Sequence, residues 1–190
     1  MVVTNNRSQT RKPCGYRVAT RTRQQLRTIA QGILPILHAE GCFKRNAHFL
    51  DASHLLENVL HRANYAFHVD ESLTETAAFT IPERRLIVLK GDVYDALERE
   101  DPFSRFTIVH EFSHIVLDHA VTLHRNAVLG EHKWIEDSEW QANNLSAEIM
   151  MPVRTVQQLG GNASLIAATC GTSLEAATYR VENLIKEEII

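Results

Sequence analysis

Two histidines four residues apart, with a glutamate directly after the first, make the strongest chemical signal in this chain: His110-Glu111-Phe112-Ser113-His114. On a helix, residues i and i+4 share a face, with Cβ atoms roughly 6 Å apart. Two imidazoles so placed reach one cation through Zn–N bonds of about 2.0 Å. Glu111, one residue from the first imidazole, faces the ion's open position without being a ligand, where it takes a proton from water. Composition alone yields roughly 0.04 matches to this pattern in a chain this long, so the motif is not read as chance. The flanking Ile108, Val109, Phe112, Ile115, Val116 and Leu117 are apolar, and no proline interrupts them. A buried helix carrying two histidines and a glutamate with no shared partner leaves groups unsatisfied at about 1–3 kcal/mol each. A common metal ion removes that cost.

A hydrolytic zinc site takes three protein ligands and leaves the fourth position to water. Downstream of His114 the candidates are His119, His124, Glu131, His132, Glu136, Asp137 and Glu139. Glu139 opens the periodic stretch Glu139-Trp-Gln-Ala-Asn143 and so projects from a packed helix, which makes it the expected third ligand. The competing reading is an exposed carboxylate favoured by the dipole in a helix's first turn. Asn143, one turn on, is placed to hydrogen-bond a ligand histidine and fix its tautomer. His119, His124 and His132 read as surface or loop histidines.

The elements that must hold these groups follow from periodicity. Leu26, Ile29, Ile33 and Leu37 recur at helical spacing between residues 22 and 39, with Pro35 expected to kink or shorten that helix and Gly41 to end it. Asp51 caps a second helix whose apolar stripe is Leu55, Leu56, Val59 and Leu60. A short strand at 65–69 precedes two more at 77–81 and 85–89, joined by a turn at Pro82-Glu83-Arg84. The unbroken apolar run 86–89 is expected of a strand covered on both faces. After a short helix at 93–99, Asp101-Pro102 opens the helix that carries the HExxH motif, with Asp101 or Ser104 as cap. The pattern is lost between 120 and 134, resumes at Ser138 and stops at Pro152. Beyond Gly160-Gly161, residues 163–170 and 174–189 read as helix–turn–helix.

With 190 residues, 44% of them hydrophobic, the chain has the makings of one core without staples. No apolar run approaches the roughly 20 residues of a membrane span, and the polar, basic N-terminus lacks a secretory h-region. Cys14, Cys42 and Cys170 are odd in number and scattered, which argues for a reducing, cytoplasmic setting. The net charge of −3 is uneven: residues 1–45 hold nine Lys/Arg against the single acid Glu40. This arm leaves nucleic-acid contact open, but no groove-reading motif accompanies it, and it is read as solvated. The final helix sets Arg180 and Lys186 against Glu175, Glu182, Glu187 and Glu188. A phosphate-binding element should be positive, so the helix–turn–helix is read as packing.

Arg105-Phe-Thr-Ile-Val-His-Glu-Phe-Ser-His-Ile-Val-Leu117 resembles the active-site helix of the ImmA/IrrE metallo-endopeptidases. Glu139-Trp-Gln-Ala-Asn-Asn-Leu-Ser-Ala-Glu-Ile-Met-Met-Pro152 is similar to their second signature, and Arg85-Leu-Ile-Val-Leu89 with Asp92-Val-Tyr94 to the strand and helix upstream. The resemblance covers residues 65–185. It implies an α+β fold: a predominantly helical, zincin-like domain with about three strands beside the HExxH helix and a helix-turn-helix-like hairpin at the C-terminus. The expected division is a basic, disordered leader at 1–21, a metallopeptidase domain at 22–159 and a helical hairpin at 160–190 packed on it. His110, His114 and Glu139 match the family's metal ligands and Glu111 its catalytic glutamate. The implied ion is Zn²⁺, with Mn²⁺ as the alternative. The implied substrate is a protein, a helix–turn–helix repressor encoded nearby, whose cleavage relieves repression in stress response or mobile-element induction. Leu145, Ser146 and Phe112-Ser113 stand where Phe, Ala and Leu-Gly are usual, which bears on packing. Two other readings compete. One is a non-catalytic regulator or antitoxin-like protein that binds a partner or DNA through the same fold. The other is a peptide deformylase, prompted by Glu40-Gly-Cys42 and set aside because Cys42 lies behind two helices.

Overall fold

The computed structural model describes residues 12–43, 45–119 and 131–190. Helix α1 (Arg23–Ala39) begins with a capping box: Thr22 accepts from the Gln25 N–H, and the Gln25 side chain accepts from the Thr22 N–H. Contrary to expectation, Pro35 does not shorten it. Gln31, whose carbonyl loses its partner to the proline, lies with Pro35 on the exposed face, where water replaces the bond. Helix α2 (Ala52–His54) is capped by Asp51 and continues as a π-wound turn over Leu55–Leu60.

Three strands follow, β1 (Ala66–Asp70), β2 (Ala78–Ile81) and β3 (Leu86–Lys90), in the order β1-β3-β2. The central β3 runs parallel to β1 and antiparallel to β2, and its Ile87, Val88 and Leu89 are buried. Helix α3 (Gly91–Glu98) leads to α4 (Pro102–Leu117), which carries the HExxH motif. Asp101 is its cap, accepting from the Ser104 N–H, and Pro102 occupies the first turn, where a missing N–H costs nothing. Helix α5 (Ser138–Met150) packs against α4 on one side and α1 on another, with Leu145, Ile149 and Met150 in the common core. Pro152 ends α5 and caps a helix the periodicity did not signal, α6 (Val153–Gln158). Helices α7 (Ala163–Cys170) and α8 (Leu174–Lys186) close the chain and bury Ile166, Cys170, Ala177 and Leu184 in the same core.

Of the expected leader, residues 1–11 lie outside the described residues, and residues 16–21 lie along the segment before α5. Val18 N–H donates to the Glu136 carbonyl at 2.7 Å, Arg21 N–H to Ile135 at 2.9 Å, and Ser138 N–H to Tyr16 at 3.0 Å. The segment before α5 needs partners for its backbone groups, and the arm supplies them while burying Val18. In α8, Arg180 is turned inward. Its guanidinium grips the Glu148 carboxylate through two bonds of 2.9 and 2.6 Å, and Arg27 meets the same carboxylate at 3.1 Å. A buried ion pair, not a groove-reading face, is what that arginine serves.

Candidate metal centre

One turn of α4 places His110 and His114 on the same side, and the first turn of α5 brings Glu139 to them. Asp137 sets that turn by accepting from the Trp140 N–H. The two Nε2 atoms are 3.0 Å apart; His110 Nε2 lies 3.1 Å from Glu139 Oε2, and His114 Nε2 lies 3.3 Å from Oε1. Among the described residues this is the group of histidines and acids whose ligand atoms converge closely enough to hold a metal ion. Zn–ligand bonds of 2.0–2.1 Å at tetrahedral angles set neighbouring donors roughly 3.3–3.4 Å apart. The observed separations of 3.0–3.3 Å lie close to that spacing, so the triad fits Zn²⁺.

Electrostatics agree with the geometry. Burial resists protonation of His110, but the Glu139 hydrogen bond and charge, with the Glu111 charge and an Asn143 hydrogen bond, together raise its pKa. Burial likewise resists ionisation of Glu139, yet the His110 and His114 rings beside it hold its carboxyl well below the ordinary carboxylate range. The cluster is an anionic cradle that attracts positive charge, whether proton or metal ion.

Glu111 is buried, and its Oε2 accepts from Thr80 Oγ1 at 2.7 Å. Thr80 belongs to β2, the strand packed on α4, so sheet and helix orient this carboxylate jointly. Glu111 and the triad line a cleft of about 510 Å³ whose apolar walls include Tyr16, Phe79, Phe103 and Phe106. Phe103 and Tyr16 are 62% and 48% exposed, so aromatic rings stand at its mouth.

Two histidines read as surface or loop residues have buried side chains. A left-handed residue, Asp118, turns the chain back after α4. His119 Nδ1 thereby lies 2.9 Å from His114 Nδ1, and its Nε2 3.1 Å from Gln141 Oε1. Burial, aided by the His114 and Arg21 charges, lowers the His119 pKa to about 4, so the ring is neutral. His132 Nε2 meets Asp137 Oδ2 at 2.9 Å, with both side chains inaccessible. Neither was legible, because both follow the end of α4, where periodicity gives no direction; His124 lies outside the described residues. Thr80 was missed for a related reason: only strand–helix packing brings it to Glu111. Cys42 is buried in the core cluster and is not among the residues lining the cleft.

Residues 98–182 match the family model described as the IrrE N-terminal-like domain (Peptidase M78). No curated protein matches the chain. Among solved structures, a Mycobacterium tuberculosis transcriptional regulator superposes with a TM-score of 0.55 over 83% of this chain at 12% identity. The chain spans about half of that protein, 51% of its length. At this identity the likeness is one of fold.

Proposed function

From the match of residues 98–182 to the IrrE N-terminal-like domain family, we propose that this protein is a zinc-dependent endopeptidase. The observation that carries the reading is the convergence of His110, His114 and Glu139 within 3.0–3.3 Å, beside a buried Glu111 at the wall of an open cleft. His110, His114 and Glu139 would hold the ion. When bound, Zn²⁺ acts as a Lewis acid that acidifies water and polarises a peptide carbonyl.

Glu111 takes the proton from the attacking water. Thr80 already donates to Oε2, which leaves Oε1 the freer oxygen to accept and hold the proton. Glu111 then delivers it to the departing amine, and Thr80 keeps the carboxylate in place through both transfers. The aromatic residues at the cleft mouth suit a polypeptide side chain. The substrate class we propose is a protein, a helix–turn–helix repressor whose cleavage relieves repression.

The test is Glu111→Gln, which removes the base while leaving all three ligands. It is expected to keep zinc at the wild-type stoichiometry and lose cleavage of the cognate repressor by at least about 100-fold. Cleavage at the wild-type rate overturns the proposal. A regulator acting by contact is the second reading; the structural neighbour is itself a transcriptional regulator. It predicts that Glu111→Gln retains full regulatory effect.

A further inference from the structure

We propose that His119 and Gln141 are positioning residues of the metal centre, forming a relay that sets which nitrogen of His114 carries its hydrogen. The relay starts at two carbonyls. Gln141 Nε2 donates to Ala19 O at 2.8 Å and to Ile135 O at 2.8 Å. Carbonyl oxygens only accept, so both amide hydrogens are committed. Flipping the amide would set Oε1 against two other oxygens. Gln141 Oε1 must therefore face His119 Nε2, 3.1 Å away, and since that oxygen only accepts, His119 Nε2 carries the hydrogen.

The rest follows from valence. A neutral imidazole has one N–H, so His119 Nδ1 presents a lone pair. It lies 2.9 Å from His114 Nδ1, which must then be the donor. In the neutral His114 ring Nε2 is then bare, and it is the atom facing His110 Nε2 at 3.0 Å and Glu139 Oε1 at 3.3 Å. A metal ligand needs that tautomer, and here it is imposed from behind the ring before any ion arrives. One of the two starting carbonyls, Ala19, lies on the N-terminal arm, outside the residues that match the family model. The arm is thus part of the apparatus that aims His114.

The 190-residue chain supplies two readouts. Long-range ¹H–¹⁵N spectra of the metal-free wild type report the His114 tautomer directly. Competition with a chromophoric chelator reports Zn²⁺ affinity for the wild type, His119→Leu, His119→Gln and Gln141→Leu. The wild type is expected to show His114 as the Nδ1–H form. His119→Leu and Gln141→Leu are expected to weaken Zn²⁺ binding by roughly 10–100-fold. His119→Gln keeps a carbonyl to accept from His114 and an amide to donate to Gln141, and should stay within about threefold of the wild type. A mere packing role predicts the opposite order, because leucine is the better buried side chain. Finding His114 as the Nε2–H form, or wild-type affinity in His119→Leu, overturns the relay. Should His119→Leu fail to fold, the wild-type spectrum and the Gln141→Leu affinity decide. The proposal rests on the metal-centre reading, and the two fail differently. A wild type that takes up no Zn²⁺ removes that reading; a zinc-binding wild type with an indifferent relay removes only the relay.

Discussion

Ser113 Oγ and Ser146 Oγ lie 2.9 Å apart in the fully buried contact between α4 and α5. These are two of the positions where the chain departs from the motifs it resembles, with hydroxyls in place of Gly and Ala. In space the two departures meet. Each hydroxyl also reaches the carbonyl one turn back, Val109 and Ala142 respectively, at 2.8 Å. Neither is therefore a buried polar group without a partner.

A double-mutant cycle reads this contact. Ser113→Ala and Ser146→Ala are each expected to destabilise by about 1 kcal/mol, and the double variant by less than their sum. Urea unfolding of the four proteins measures the coupling. A coupling of zero would show that the hydroxyls are merely neighbours.

Thr80→Val leaves Glu111 Oε2 buried with its donor gone. A hydrogen bond to a charged group is worth about 1.5–3 kcal/mol, so the carboxylate loses its fixed orientation and kcat should fall roughly 10–100-fold. KM and zinc content are expected to hold, since the hydrogen bond removed is to Glu111 and not to a residue of the triad. Thr80→Ser, which restores the hydroxyl, should recover most of the rate. An unchanged kcat in Thr80→Val removes Thr80 from the mechanism.

His119 gives the metal-free protein an acid sensitivity of predictable sign. Its pKa is lowered from 6.5 to about 4, first by burial and then by the His114 and Arg21 charges. The unfolded chain therefore binds this proton at a higher pH than the folded one. The contribution is fully present above the unfolded value, falls as pH drops from about 6.5 to about 4, and is level below that. The interval corresponds to about 3 kcal/mol. His119→Gln lacks the titrating ring, so its stability relative to the wild type should improve by that order between pH 7 and pH 4. Chemical denaturation of both metal-free proteins tests it, and a pH-independent difference contradicts it.

Arg180 and Glu148, with side chains 7% and 4% exposed, are linked through both terminal guanidinium nitrogens. Arg180→Ala strands the glutamate with Arg27 alone and should cost about 3 kcal/mol. Replacing both members with apolar residues of similar volume, as in Arg180→Met with Glu148→Leu, should cost less than the single change. Equilibrium unfolding separates the cases. A double variant less stable than the single one would mean the pair is worth more than its desolvation.

Local pattern carried much of this protein. The i,i+4 histidines of α4 needed only helical spacing to share a face, and Asp101-Pro102 announced where that helix starts. The apolar run at 86–89 identified the central strand, because a strand covered on both faces has no polar positions to alternate. The placement of the arm was not legible for the converse reason. Between residues 12 and 21 Val18 is the buried apolar side chain, and the arm is held mostly through its backbone groups, which leave no trace in side-chain pattern.

What the residue order by itself determined is the chemistry on offer: two imidazoles on one helical face, a glutamate beside them, and a second helix opening on an acid. What only the tertiary structure decided is which distant groups complete and orient that set. Glu139 arrives because α5 packs on α4. Thr80 arrives because β2 does. His119 and Gln141 bond because a left-handed turn at Asp118 sends the chain back on itself. Helical spacing is a property of neighbours in sequence, whereas these contacts join residues through the packing of separate elements, and packing is settled by the whole core at once.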